Sequence, residues 1–344
     1  MEYNILCMDI GKGTQDILYI RKENVDNLEN SVKLILPSPT TILSNKIKNM
    51  REDLYIDGYI MGGGPVNRAI NEHLKKGYNV YISERAARTI RDNLDEVSEM
   101  GVSIVSRIDS PNIIFKDIDF NMLKSMFKSF GEDFKPDYVL VGCQDHGYVP
   151  NQSDRITRFN YFRDILNKNK NPKTYLFDKI ENCGYFSRFK SILSQLNNEG
   201  YRGFVMDSKI CSVCGINHYA ESIGIDEFVG LDIGNGHTLG VSIKKGLVYG
   251  LFEHHTRMLS DKKLDGIVKK LINGTLKNEE IFNEGGHGAS VVEGINPKKI
   301  FISGPNRGLF KNYGVYAYPG GDVMITGCVG LFDAFKHWKG INYE

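Results

Sequence analysis

Residues 8–20 read MDIGKGTQDILYI, and residues 231–243 read LDIGNGHTLGVSI. Each is an apolar run, then Asp-Ile-Gly-x-Gly, then a second run of β-type composition. Laid over one another without a gap, they coincide at Asp9/Asp232, Ile10/Ile233, Gly11/Gly234, Gly13/Gly236 and Ile20/Ile243. One glycine-rich hairpin says little, since glycine serves any turn that needs positive φ. Two copies, each opening one half of the chain, point to a duplicated fold.

The flanking patterns follow one plan. In the first half, strands are expected near 3–10, 15–21 and 31–36, then a helix near 40–50. A strand near 54–61, a helix 65–75, a strand 78–82 and a helix 84–98 follow. The second half gives strands 228–233, 238–243 and 246–252, then helical segments across 260–283. A strand 299–303, a helix 305–311, a strand 314–318 and a helix 321–337 complete it. Both halves spell βββαβαβα: an antiparallel meander of three strands, then a parallel continuation covered by helices. A second echo sits at a similar offset, Gly62-Gly63-Gly64-Pro65-Val66-Asn67-Arg68 against Gly304-Pro305-Asn306-Arg307. Proline suits the first helical turn in each. The expected division is a first lobe over 1–98, an inserted α/β segment over 99–226 and a second lobe over 227–344.

The bulk numbers narrow the class. A chain of 344 residues with 41% hydrophobic and 25% charged side chains is an ordinary globular protein with room for two domains. Forty-three basic and 42 acidic side chains leave a net charge of +1, which gives no footprint for nucleic acid. The N-terminus reads as a strand rather than a leader, and no apolar run approaches the roughly 18 residues of a membrane span. The six cysteines are scattered and read as reduced thiols, which implies a cytoplasmic location.

On the paired DxGxG hairpins, the βββαβαβα duplication and the Gly-Pro turn after a later strand, the chain resembles the actin, sugar-kinase and heat-shock-chaperone ATPase superfamily. The resemblance covers about 1–98 and 227–340. It implies an α/β fold of duplicated ribonuclease H-like (actin-like ATPase) lobes, with ATP and Mg²⁺ held in the cleft between them. More narrowly, the chain is similar to a largely archaeal family labelled pyruvate formate-lyase activating enzyme. Glycyl-radical activases carry CxxxCxxC for a cluster, and that spacing is absent here, so radical S-adenosylmethionine chemistry is not expected.

The hairpins suit phosphate, because backbone N–H groups can close on an anion where no Cβ obstructs them. Gly11 and Gly13 in one hairpin, and Gly234, Asn235 and Gly236 in the other, could pinch a polyphosphate from two sides. Thr14 and Thr238 could offer hydroxyls, and Lys12 a point charge. Asp9 and Asp232 end buried strands and suit Mg²⁺ held through waters; the resemblance implies that one of them orients the attacking nucleophile. The alternative is two tight hairpins with capping carboxylates. Ser303-Gly304-Pro305-Asn306 stands where the superfamily brings glycines against adenosine, reduced here to one glycine and a proline. Gly320, Gly321 and Gly327 could line the same pocket or let the last helix pack closely. A dinucleotide reading of Gly62–Gly64, with Glu84 as the ribose acid, conflicts with Pro65 and Asn67 in the pattern. GxxxxGK[ST] is absent.

Within 99–226, the strand Tyr138–Val141 leads into Gly142-Cys143-Gln144-Asp145-His146-Gly147. Asp145 and His146 read as a substrate-side acid/base pair or as a capping Asp and a surface His; Arg155 and Arg158 could bind an anionic substrate. Glu253-His254-His255 and Gly285-Gly286-His287-Gly288 could make a metal site or polar cleft residues. Adjacent His254 and His255 on a strand face opposite ways. His287, among glycines, could approach phosphate. Cys211 and Cys214 form a lone CxxC, open to a redox pair, a cluster shared across a dimer, or two buried thiols on one helix.

These readings converge on an ATP- and Mg²⁺-binding phosphotransferase or ATPase with an unknown small-molecule or protein substrate. The alternatives are an ATP-dependent activator or switch for a partner enzyme, and a ligand-binding pseudo-enzyme. No nucleic-acid or membrane partner is expected, and a homodimer stays open.

Overall fold

The structure, a computed structural model, describes residues 2–150 and 152–340. The chain opens with β1 (Ile5–Ile10), β2 (Thr14–Ile20) and β3 (Val32–Pro37), an antiparallel meander. Ser38 then caps the helix Pro39–Asn49, its side chain accepting from Thr41 N, with proline at the first turn. Four short strands follow: β4 (Leu54–Gly58), β5 (Val80–Ser83), β6 (Ser103–Val105) and β7 (Ile113–Phe115). After them come β8 (Tyr138–Cys143) and β9 (Arg202–Asp207). The second half supplies β10 (Glu227–Ile233), β11 (His237–Lys244), β12 (Leu247–His255), β13 (Gly288–Val291), β14 (Lys299–Ser303) and β15 (Val315–Tyr316).

Two of the three sheets share one topology. The first runs β3-β2-β1-β8-β9, with β8 parallel to β1 and β9 parallel to β8. The second runs β13-β12-β11-β10-β14-β15, with β14 parallel to β10 and β15 parallel to β14. Each is a three-strand meander with two parallel strands added beside its first strand, the duplicated actin-like arrangement; β13 is an extra antiparallel edge on the second. The register is equivalent too: Asp9 pairs with Gly142 and Asp232 with Ser303.

The sheets divide the chain differently from the expected boundaries. The strands expected near 54–61 and 78–82 form, but they build a separate all-parallel sheet in the order β6-β5-β4-β7, over its own core of Leu54, Ile56, Val66, Ile70, Val80, Ile82 and Phe115. The first lobe is completed instead from within 99–226, by β8 and β9. Burial explains the choice. A strand beside β1 is covered on both faces and must be apolar throughout; every residue of β8 is buried, whereas Tyr55 in β4 is exposed. The echo between Gly62–Arg68 and Gly304–Arg307 is therefore not a structural equivalence. Gly304 follows β14, whose counterpart is β8. The helix expected at 84–98 is two short helices, Glu84–Ala87 and Leu94–Glu99, and that at 305–311 is a single 3-10 turn, Arg307–Phe310.

The helices Ser208–Ser222 and Thr326–Trp338 follow the two main sheets and pack on each other. Glycine permits this approach. A Cβ at Gly215 would run into the carbonyl of Thr326, and one at Gly330 would meet the carbonyl of Cys211 and Gly215 N. One continuous core, from Ile5 and Val139 through Cys211 and Ile216 to Val241 and Phe335, joins the faces of both sheets to this pair.

Candidate functional site

A cleft of about 600 Å³ opens where the ends of β1, β8, β10 and β14 meet the first turns of these two helices. The two DxGxG hairpins face each other across it. Gly11 N donates to Thr14 O at 2.9 Å and Gly234 N to His237 O at 3.0 Å, closing the turns alike. Their tips touch: a Cβ at Gly13 would lie 2.6 Å from Asn235 Nδ2. Gly11, Lys12, Thr14, Gly234, Asn235, Gly236, Gly304 and Pro305 all line the cleft. Gly13, Thr238 and Asn306 do not; they stand behind it. Thr238 is wholly buried, its Oγ1 3.1 Å from Thr256 Oγ1, and Thr256 donates to Gly234 O at 2.8 Å. Asn306 Nδ2 donates to Gly234 O and Asn235 Oδ1, both at 3.1 Å. Thr238 thus offers no hydroxyl to a phosphate, because it braces the loop that would hold one.

Asp9 and Asp232 both line the cleft. Asp9 Oδ1 is buried without a hydrogen-bond partner. Burial first, then the Asp16 charge, push its carboxyl well above the usual range, against a hydrogen bond from Ser208. Gly327 touches this carboxylate so closely that a Cβ there would overlap Oδ2. Asp16, across the β1–β2 pair from Asp9, is raised to about 7, chiefly by burial, with Thr14 opposing and Asp322 adding. Asp232 differs, because Lys209 Nζ lies 2.6 Å from its Oδ2 and donates to His237 O at 2.8 Å. Lys209 reaches the cleft from the first turn of Ser208–Ser222, whose cap is Asp207.

Beside the second hairpin stands a group of histidines. The ring centroids of His237 and His287 lie 4.7 Å apart, those of His146 and His287 5.9 Å, and those of His146 and His237 6.2 Å. His255 lies 4.7 Å from His237, while His254 faces the other side of β12 and is buried. His287 is also buried, behind the cleft lining, with Nδ1 2.9 Å from Glu253 Oε2. It does not stand free in a glycine loop facing phosphate. Burial holds His146 down to about 4 and His237 down to about 2. Glu253 is anchored by the wholly buried Arg158, which also bonds Asp207 at 2.7 Å and Asp145 O at 3.1 Å. Although burial alone would raise it, Arg158 and His287 hold Glu253 well below the carboxylate range.

The pair Asp145 and His146 separates into two roles. Both line the cleft. Asp145 accepts backbone N–H bonds from Gly147, Arg188 and Phe189 at 2.8, 2.8 and 3.2 Å, which spends its carboxylate on holding the helix Ser187–Asn198. Burial leaves that group raised to about 6. Arg155 and Arg158 are not part of that lining: Arg155 Nη2 donates to Phe282 O at 2.8 Å and its guanidinium stacks on the Phe282 ring, and Arg158 is spent internally.

The separate parallel sheet closes the cleft from a third side with Thr40, Gly62–Gly64, Arg88, Thr89 and Asp117. Arg188 clamps Asp117 with two bonds of 2.7 and 2.8 Å and reaches Gln144 O at 2.9 Å. Glu84 pairs with Arg88 at 3.3 Å instead of serving as a ribose acid. Gly320 and Gly321 pack against Leu28 and Glu29, outside the cleft; Gly327 lines it. Cys211 and Cys214 are buried in the helix pair. The residues the motifs did not reveal are Asp16, Lys209, Asp117, Arg188 and His237. For Lys209 the available signal was Asp207-Ser208 after an apolar strand, a helix cap at a sheet end.

No curated protein matches this sequence. Among solved structures, similarity extends to a Bacteroides thetaiotaomicron protein with actin-like ATPase fold and unknown function, at 7% identity and TM-score 0.37 over 95% of each chain. It extends also to a ROK family glucokinase from Streptomyces griseus in complex with glucose and AMPPNP, at 12% identity and TM-score 0.37, over 96% of this chain and 98% of that one. A third is an activator of the 2-hydroxyisocaproyl-CoA dehydratase from Clostridium difficile with bound ADPNP, at 10% identity and TM-score 0.33 over 99% of each chain. Among the described residues no helix is long and apolar enough to cross a membrane. Residues 61–309 match the family described as "Putative pyruvate format-lyase activating enzyme (DUF1786)", and the chain belongs to that family.

Proposed function

We propose that the protein binds a magnesium nucleotide, ATP foremost, in the cleft and transfers its terminal phosphoryl group to an acceptor or to water. The observation that carries this reading is the pair of facing hairpins whose tips meet at Gly13 and Asn235, with the partnerless Asp9 Oδ1 buried between the lobes. An orphaned buried carboxylate oxygen beside a glycine is a fitting seat for a divalent cation, and Asp9 is the residue that would hold it. Bound MgATP would supply the transferable phosphoryl group and the charge that neutralises it.

The chain's own residues do the positioning. Backbone N–H groups of Lys12, Asn235 and Gly236 face the polyphosphate, while those of Gly11 and Gly234 close the turns that present them, and the Lys12 ammonium adds a point charge. Lys209, fixed by Asp232 and His237 O, supplies a second cation that needs no reorganisation. Gly304 and Pro305 form the wall for the nucleoside. The acceptor side belongs to Gly62–Gly64, Arg88 and the Arg188–Asp117 clamp, at the carboxyl ends of a parallel sheet where ligands commonly bind. The acceptor's identity is left to experiment. Cys211 and Cys214 are buried, which disfavours a cluster shared between subunits as the basis of an activator role.

A thermal-shift screen of ATP, ADP, GTP and AMP, each with and without Mg²⁺, tests the reading. A rise in melting temperature with a nucleoside triphosphate that requires Mg²⁺ is expected. No shift with any nucleotide at millimolar concentration would remove it.

A further inference from the structure

His146, His237 and His287 come from three distant points of the sequence and converge. His146 follows the end of β8, His237 opens β11, and His287 immediately precedes β13. Each offers a ring nitrogen, and the three nitrogens lie within 4.8 Å of one another. Three imidazoles around one point with no carboxylate among them is a donor set for a first-row transition ion, not for Mg²⁺, which takes oxygen ligands. We infer that these three histidines form a metal centre for a divalent first-row ion, zinc foremost, with an open coordination position facing the cleft.

The surroundings support this assignment independently of the ring spacing. Glu253 stands 2.9 Å from His287 Nδ1, and Arg158 fixes Glu253 in turn. A carboxylate behind a histidine sets the ring's orientation and leaves Nε2 as the ligand, the usual outer support of a metal-bound imidazole. Gln144 takes the same place behind His237, its amide 3.2 Å from Nδ1. Half a turn of that amide presents its oxygen to Nδ1–H and leaves the Nε2 lone pair to the ion. Ligands on zinc at about 2.0–2.1 Å stand roughly 3.3 Å from one another, so small inward rotations of the imidazoles complete the site. His146 and His237 line the cleft, so a fourth ligand would come from there: a water, or an oxygen of a molecule bound beside Arg188 and Asp117.

This centre is separate from the Asp9 seat, and its test separates the two. The full-length chain is purified without a histidine tag, and its metal content is measured by inductively coupled plasma mass spectrometry. Metal-free protein is then titrated with Co²⁺ and, in competition, with Zn²⁺. The expected result is about one equivalent of zinc or another first-row ion and a visible Co²⁺ ligand-field band that Zn²⁺ abolishes. His146→Gln, His237→Gln and His287→Gln should each weaken binding at least about 10-fold. His337→Gln on the last helix, and Asp9→Asn, should leave it unchanged. A wild-type protein that is folded by circular dichroism yet holds under one-tenth equivalent of metal and gives no Co²⁺ band overturns the inference. Binding that survives all three cluster substitutions overturns it equally. If a cluster variant does not fold, the wild-type Co²⁺ titration still decides, because it reads the site without substitution.

Discussion

Asp9 and Asp16 sit side by side on β1 and β2, and both carboxyls are raised by burial and by neighbouring negative charge. For Asp16 the ordinary value of 3.8 moves to about 7 in the folded chain, with Asp322 and Asp232 contributing. Between those values the folded protein binds the proton and the unfolded chain does not. Asp16 therefore stabilises the fold at low pH, and that contribution is lost as pH rises through about 7. Without divalent cation, wild type should lose several degrees more melting temperature between pH 5 and pH 8 than Asp16→Asn does, on the order expected for a few pH units of linkage. Equal losses in the two proteins would contradict the assignment. Asp9 and Asp232 were legible because glycines flag their hairpins. Lys209 was not, since only folding carries the start of the helix Ser208–Ser222 to β10. The bracing of Thr238 and Asp145 was equally hidden: both are polar residues in plausible positions, and only their partners show that their polar atoms are already spent.

At the scale of elements, the pattern of the sequence located eleven of the fifteen strands among the described residues, missing β6, β7, β9 and β13, and could not say which sheet each joins. The runs at β4 and β8 both read as strands followed by glycine-containing loops. What separates them is that β8 is apolar throughout and can be covered on both faces, whereas β4 carries Tyr55 and Asp57. The meander in each half was legible because its turns are local; the parallel neighbour of β1 begins more than a hundred residues away. The helix pair makes a sharper test of element packing. Gly330 lies inside the helix Thr326–Trp338, where alanine would ordinarily add up to about 1 kcal/mol of helix stability. Here its Cβ would press on Cys211 O, and Gly215 N would lie only 2.7 Å away. Gly330→Ala should therefore destabilise the protein by about 1–3 kcal/mol, as overpacking does. Urea denaturation measures this, and a stabilised variant would mean that the helices do not approach as described.

For the molecule as a whole, the duplication explains why one cleft receives residues from all three sheets. Two equivalent lobes bring equivalent strand ends, Asp9 and Asp232, to one opening, and the parallel sheet inserted between β3 and β8 reaches the same opening from the side. Arg158 joins the lobes internally, bonding Asp207 at the end of β9 and Glu253 on β12. Its guanidinium is wholly spent on these buried partners. The central claim is that the two hairpins and Asp9 hold a magnesium nucleotide. Isothermal titration of MgATP into wild type and Asp9→Asn, with melting temperatures taken alongside, tests it most directly. The account predicts saturable 1:1 binding to wild type. It predicts at least about 10-fold weaker, Mg²⁺-independent binding to Asp9→Asn, which should melt no lower than wild type because a buried, charge-opposed carboxylate has been removed. Identical MgATP affinity in both proteins, or no binding to a folded wild type, would contradict it.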